Sequence, residues 1–110
     1  MSDSHDLSED RLAATLPVDD QGRPSIGGVS LIRRLGVGGM GAVYLGTQER
    51  LGREVAVKIL PHNLVEQDPR LVERFQAEAK MAAGIDSAHV VRVLDVGCEY
   101  GTNYYVMEYV

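Results

Sequence analysis

The chain has 110 residues, of which 45% are hydrophobic and 25% are charged, a composition that suits one soluble domain with a modest core. The net charge of −5 is concentrated in residues 1–24, which carry six acidic and two basic side chains. Residues 25–110 are nearly neutral and offer no basic patch for nucleic acid. No run approaches the roughly 20 apolar residues that span a bilayer, and the single cysteine, Cys98, fits a reducing compartment. We therefore predict a cytoplasmic protein without a nucleic-acid partner and without a membrane segment in this chain.

The first 26 residues have the composition of an unfolded segment. They are rich in serine and aspartate, contain Pro17, Gly22 and Pro24, and hold few apolar side chains. Such a segment buries too little apolar surface to offset the entropy lost on ordering. We predict a disordered acidic leader over residues 1–26 and one folded domain over residues 27–110.

Three β-strands are predicted at the start of the folded part. Apolar residues indicate a strand over 29–35, alternation indicates a second over 42–47, and a β-rich stretch indicates a third over 54–60. The connections are a glycine run and a short turn centred on Gly52. Parallel strands would need a long crossover, so we predict an antiparallel meander.

A helix is predicted next, over residues 69–83. Asp68 suits the N-cap, Pro69 the first helical position, and Gly84 the position after the last turn. Apolar residues recur at helical spacing and define one buried face: Leu71, Phe75, Ala79 and Ala82.

Two further strands are predicted after the helix, over residues 90–98 and 103–110. The predicted fold is therefore α+β, with a five-stranded antiparallel sheet and one main helix in the order βββαββ. His5 and His62 show no metal-ligand spacing, and no metal site is predicted within the chain.

Two charged residues fall on faces that the patterns place toward the interior. Alternation puts Lys58 on the same strand face as Ala56 and Leu60, and helical spacing puts Glu78 on the apolar stripe. An unpaired charge in an apolar interior is costly, so the simplest inference is that the two side chains meet. The alternative is that Lys58 extends to the sheet edge and Glu78 lies at the rim of the helix.

The glycine run at residues 36–43 reads Gly-Val-Gly-Gly-Met-Gly-Ala-Val. Glycines let a backbone approach a phosphate closely, since no Cβ intervenes. A strand, and not a helix, follows the run, which argues against a dinucleotide-binding fold. The run lacks the Gly-Lys-Ser/Thr ending of a P-loop. The remaining kind of phosphate-binding loop is a β-hairpin whose backbone amides cover the phosphates.

These residues resemble a family. Residues 35–44, Leu-Gly-Val-Gly-Gly-Met-Gly-Ala-Val-Tyr, are similar to the glycine-rich loop of protein kinases, and residues 55–58, Val-Ala-Val-Lys, match their third-strand motif. The Gly-Gly-Met-Gly form, with Arg74-Phe75 and Glu78-Ala79 in the helix, is most similar to bacterial Ser/Thr kinases of the eukaryotic type. The resemblance covers residues 27–110 and implies the fold of a kinase small lobe.

The resemblance implies a role for each matched position. Lys58 would contact the α- and β-phosphates of ATP, and Glu78 would be the helix residue that orients it. Met107 would be the gatekeeper beside the adenine, with Glu108 and Val110 offering backbone groups to the adenine edge. The loop residues over the phosphates would be Gly36, Val37, Gly38, Gly39, Met40 and Gly41. The remaining adenine-pocket residues would be Leu35, Val43 and Ala56.

The resemblance also implies ATP and Mg²⁺ as cofactors and a protein Ser/Thr substrate for the complete enzyme. The family's catalytic base and Mg²⁺ ligands belong to HRD-x4-N and DFG motifs, which do not occur in these 110 residues. We therefore expect this chain alone to be inactive and to bind ATP weakly at best. Two hypotheses follow: the small lobe of a Ser/Thr kinase, or a noncatalytic module that binds a nucleotide or a partner protein. The intact glycines, Lys58 and Glu78 favour the first.

Overall fold

The computed structural model describes residues 7, 10–38, 41–84 and 92–109. The predicted site positions Gly39, Met40 and Val110 lie outside these ranges, as does most of the leader before residue 10.

The described residues form one antiparallel sheet with two α-helices on one side and a 3-10 turn on the other. The sheet has the strand order β1-β2-β3-β4-β6-β5, and every neighbouring pair is antiparallel. The strands are β1 (Ser25–Ile26), β2 (Val29–Gly38), β3 (Gly41–Gln48), β4 (Arg53–Leu60), β5 (Val93–Glu99) and β6 (Thr102–Glu108). The helical elements are a 3-10 turn at Ala13–Thr15, α1 (His62–Gln67) and α2 (Arg70–Gly84).

The predicted α+β class and antiparallel sheet are confirmed, but two short elements are additional. β1 has two residues and pairs with the start of β2, which makes six strands in the described residues where five were predicted. α1 has six residues and begins after Pro61. The observed order is therefore ββββααββ and not βββαββ. Both elements were missed because they are too short to produce a visible hydrophobic period.

Asp68 contacts the start of α2 as predicted, but the helix begins at Arg70, one residue after the predicted first position at Pro69. The Asp68 side chain accepts a hydrogen bond from the backbone N–H of Arg70 at 3.1 Å, which satisfies one donor of the first helical turn. The helix continues through Gly84, one residue beyond the predicted end. Among the helices in the described ranges, none has the length and apolarity that crossing a bilayer would require.

The two sheet faces carry separate cores because alternate residues of each strand point to opposite sides. We call the face toward α2 the helix face and the opposite one the outer face. The helix-face core contains Leu60, Phe75, Ala79 and Tyr105. The outer-face core includes Val55, Val57, Ile59, Tyr44, Tyr104 and Val106.

Residues 10–26 pack on the outer face, which corrects the prediction of a disordered leader for this part of the chain. Ala13, Leu16 and Ile26 are 1%, 6% and 1% exposed and belong to the outer-face core. The average composition of the segment is polar, but its few apolar residues are placed to cover an otherwise bare sheet face. Burial of that face supplies the free energy that composition alone did not indicate.

Candidate nucleotide-binding site

Lys58 and Glu78 form an ion pair between the sheet and α2. The Lys58 Nζ donates to the Glu78 Oε1 at 2.5 Å, and the two side chains are 12% and 41% exposed. The predicted contact between these residues is therefore confirmed. Leu60, Phe75 and Ala79, which are almost fully buried, dock α2 on the sheet and bring Glu78 over the lysine.

Tyr105 completes this group, although no local pattern in the sequence marks it as a site residue. It lies directly opposite Lys58 in the pairing of β4 with β6, and its hydroxyl donates to the same Glu78 Oε1 at 2.5 Å. Its ring packs against Phe75 with centroids 5.0 Å apart. Alternation along β6 could have placed Tyr105 on the helix face, but its register with β4 depends on pairing between strands that are distant in sequence.

The surroundings keep Glu78 ionised and Tyr105 neutral. Partial burial alone would raise the pKa of Glu78, but the hydrogen bonds from Lys58 and Tyr105 and the lysine charge together lower it. The pKa of Tyr105 is raised, first by burial and then by its bond to the Glu78 carboxylate. The carboxylate thus accepts from two donors and holds the ammonium in place. An ammonium has three N–H donors, and Glu78 takes one of them.

The described residues of the glycine run, 36–38 and 41–43, form the last rungs of the hairpin between β2 and β3. Gly36 pairs with Val43, Val37 with Ala42, and Gly38 with Gly41. An added Cβ at Gly41 would collide with the carbonyl oxygen of Ile59 on β4, whereas one at Gly36 would meet no atom within 4 Å. Close packing therefore requires glycine at position 41, and nothing within the described residues requires it at position 36.

Val43 connects this hairpin to the lysine. Val43 on β3 is the direct cross-strand partner of Lys58 on β4, and residues directly opposite each other point to the same face. Val43, Lys58 and Tyr105 therefore form a row across three strands on the helix face. The base of the glycine hairpin and the ion pair occupy one surface.

The residues expected around an adenine lie beside this row. Ala56, 7% exposed, is the direct partner of Met107 on β6, and Met107 is half-buried against the helix-face core. Leu35 is half-buried at the register irregularity that precedes Gly36. Glu108 donates its backbone N–H to the carbonyl oxygen of Arg92 at 2.9 Å.

The sequence has clear relatives. Residues 29–110 match the protein kinase domain family. The serine/threonine-protein kinase pkn2 of Myxococcus xanthus is 45% identical over 80 residues, which are 73% of this chain and 10% of that protein. The serine/threonine-protein kinase PrkC of Bacillus subtilis is 39% identical over 89 residues, which are 81% of this chain and 14% of that protein. The chain thus spans only a small part of the length of these curated relatives.

The fold has a matching solved structure. The crystal structure of the Mycobacterium tuberculosis PknI kinase domain aligns with a TM-score of 0.59 at 31% identity, covering 78% of this chain and 34% of that chain. The family match, the relatives and the shared fold lead to one conclusion: this chain belongs to the protein kinase domain family and has the fold of its small lobe.

Proposed function

We propose that this chain is the ATP-binding small lobe of a serine/threonine protein kinase. The observation that carries the proposal is the Lys58–Glu78 ion pair, held at 2.5 Å on the same surface as the base of the glycine hairpin. In this assignment the hairpin amides cover the phosphates, Lys58 binds the α- and β-phosphates, and Glu78 orients Lys58.

The energetics of the pair support a binding role over a purely structural one. Lys58 is 12% exposed within residues 55–60 of β4, which are otherwise apolar and buried. Replacing even a fully buried ion pair by apolar residues is often neutral or stabilising, and Glu78 is 41% exposed, so docking α2 on the sheet does not require these charges. A cation oriented by a carboxylate, which a tyrosine hydroxyl holds in turn, is suited to bind an anion.

The neighbouring residues fit a nucleotide. Backbone amides near Gly36 and Gly41 can approach phosphates because these positions carry no Cβ, and the half-buried Val43 and Met107 offer apolar contact beside the small Ala56. When bound, ATP supplies the γ-phosphoryl group and Mg²⁺ neutralises its developing charge. The residues of this chain bind and orient the nucleotide.

Transfer of the γ-phosphate to serine or threonine hydroxyls of a protein is proposed for a complete kinase, in which a large lobe closes the other side of the cleft. A noncatalytic module would bind the nucleotide and transfer nothing. A cytoplasmic location stays a prediction from the sequence, as does the absence of a nucleic-acid partner.

A lysine-reactive ATP analogue tests nucleotide binding directly, because the chain contains two lysines, Lys58 and Lys80. Lys80 is exposed on α2 and serves as the internal control. We expect the analogue to modify Lys58, unlabelled Mg·ATP to protect Lys58 only, and Lys58→Met to abolish the protected label. Equal modification of both lysines without protection by Mg·ATP would refute the proposal.

A chimaera separates the kinase lobe from the noncatalytic module. Residues 1–110 would replace the small lobe of a related bacterial kinase, and phosphate transfer to a generic protein substrate would be measured. Activity that is lost on Lys58→Met but kept on Lys80→Met supports the kinase assignment. A folded chimaera that binds ATP but transfers no phosphate would favour the module.

A further inference from the structure

Asp10 is a buried carboxylate that joins the N-terminal segment to the glycine hairpin. Its side chain is 6% exposed and accepts from Arg34 through Nε at 2.9 Å and Nη2 at 3.1 Å. It also accepts from the Tyr44 hydroxyl at 2.9 Å and from the backbone N–H of Ala13 at 3.0 Å. The two oxygens of this one carboxylate therefore accept hydrogen bonds from four donor atoms.

The ionisation of the group is consistent with this network. Burial alone would raise the pKa of Asp10, but its hydrogen bonds to Ala13 and Tyr44 and its contact with Arg34 lower it. Burial raises the pKa of Tyr44 to about 12, so its hydroxyl keeps its proton and donates. The Arg34 guanidinium also lies 5.4 Å from the centre of the Tyr44 ring, within range of a cation–π contact.

The two residues that Asp10 holds form one rung of the glycine hairpin. Arg34 on β2 and Tyr44 on β3 are direct partners, and the next pair toward the loop is Gly36 with Val43. The register shifts between these two rungs. Asp10 therefore binds both strands at the last regular rung before the glycine run.

The rest of the segment is attached along the outer face. We call residues 10–26 the N-terminal strap. Ala13, Leu16 and Ile26 of the strap enter the outer-face core. The turn that follows the strap is held at the far edge of the sheet, where the Gly27 N–H donates to the Glu99 side chain at 2.9 Å. Apolar contact alone could attach the strap, but a two-point contact with the guanidinium also specifies geometry.

We propose that the N-terminal strap holds the glycine hairpin in one geometry and that Asp10 is its positioning residue. Among the described residues, β2 beyond Ser30 pairs with β3 alone, so a tie between Arg34 and Tyr44 limits opening and sliding of these two strands. The effect of this tie on nucleotide binding rests on the proposed function. A hairpin that is already ordered before binding loses less entropy when it covers the phosphates, so the tie should strengthen nucleotide binding.

Hydrogen exchange of the full chain without nucleotide tests the tie. Asp10→Asn keeps the size of the side chain and removes its charge, and Asp20→Asn, at an exposed position of the same strap, is the matched control. For Asp10→Asn we expect amides of residues 34–44 to exchange about tenfold faster, with β6 unchanged and the control like the wild type. Unchanged exchange in residues 34–44, or equal acceleration across the whole sheet, would overturn the proposal.

Tyr44→Phe provides a milder variant that keeps the buried ring and removes only the hydroxyl. We expect the same amides to exchange faster by about threefold in Tyr44→Phe. Asp10→Glu keeps the charge, so we expect it to lose less protection than Asp10→Asn. If Asp10→Asn fails to fold, unchanged exchange in Tyr44→Phe would still overturn the proposal.

Mg·ATP affinity separates this proposal from the proposed function. If the wild type binds Mg·ATP, we expect Asp10→Asn to weaken binding by about threefold to tenfold, as lost preorganisation predicts, and the control to bind normally. If the wild type does not bind, the proposed function fails, while faster exchange in residues 34–44 of Asp10→Asn still supports the tie. Normal Mg·ATP affinity together with unchanged hydrogen exchange in Asp10→Asn would refute the proposal that Asp10 positions the hairpin.

Discussion

Lys58 and Tyr105 lie opposite each other on β4 and β6, and both donate to one oxygen atom of Glu78. The carboxylate is therefore held by two strands of the sheet and not by the lysine alone. Because Glu78 is carried by α2, this contact ties the position of the helix to the position of the Lys58 ammonium.

Removing the tyrosine hydroxyl should loosen this contact without disturbing the core. Tyr105→Phe keeps the ring beside Phe75 and deletes the bond to Glu78. We expect the free energy of unfolding to fall by about 1 kcal/mol, measured by urea denaturation. Tyr100→Phe, at a position 80% exposed, is the control and should change stability by less than about 0.5 kcal/mol. Equal effects of the two variants would contradict this prediction.

Acid should destabilise the chain through Glu78 and Asp10. The pKa of each is lower in the folded chain than its ordinary value, 4.5 for Glu78 and 3.8 for Asp10. The unfolded chain therefore binds more protons in this range, so the free energy of unfolding rises with pH. The stabilisation is complete above the ordinary values and is lost as pH falls through the lower, folded values.

The check is urea unfolding from about pH 7 to about pH 3, where linkage requires a decline in stability below the ordinary carboxylate range. Glu78→Gln cannot titrate at this position and should show a shallower decline than the wild type. Identical pH profiles would show that Glu78 does not contribute. Glu66→Gln, an exposed carboxylate on α1, is the matched control and should follow the wild type.

Gly41 and Gly36 should respond differently to the same substitution. An alanine methyl at position 41 would collide with the Ile59 carbonyl, and one at position 36 would enter open space. We expect Gly41→Ala to destabilise the fold by about 2 kcal/mol and Gly36→Ala to change stability by less than about 0.5 kcal/mol. Thermal denaturation of both variants measures the difference, and the reverse order would argue against the described packing of β3 on β4.

The strap should contribute to stability through Leu16. This side chain is 6% exposed in the outer-face core, whereas Val18, two residues later, is 65% exposed. We expect Leu16→Ala to cost about 2 to 4 kcal/mol and Val18→Ala to cost less than about 0.5 kcal/mol in chemical denaturation. A disordered leader would instead make both substitutions neutral.

The pairing of Lys58 with Glu78 could be predicted from the sequence because each residue interrupts an apolar pattern of known period. The period of two in β4 and the helical period in α2 assign each side chain to a face, and an unpaired interior charge is costly. The glycine hairpin was predictable for a similar reason, since the strand after Gly41 is visible as alternation. Local patterns were sufficient for these features.

Tyr105 and Asp10 could not be found in this way. Tyr105 reaches Glu78 because β6 pairs with β4, although β6 begins at Thr102, 42 positions after β4 ends at Leu60. Asp10 lies in a segment whose composition indicates disorder, and its partners Arg34 and Tyr44 are 24 and 34 residues away. No local period encodes such a contact.

The sequence by itself determined the alternation of β4, the apolar stripe of α2 and the glycine spacing, because each follows from the repeat of a single strand, helix or turn. The tertiary structure alone decided which strands pair, in what register, and what covers the outer face. These depend on burying apolar surface from distant segments together, as when Leu16 closes over the face that carries Val57. The carboxylates of Glu78 and Asp10 have partners from distant segments because that burial brings those segments together.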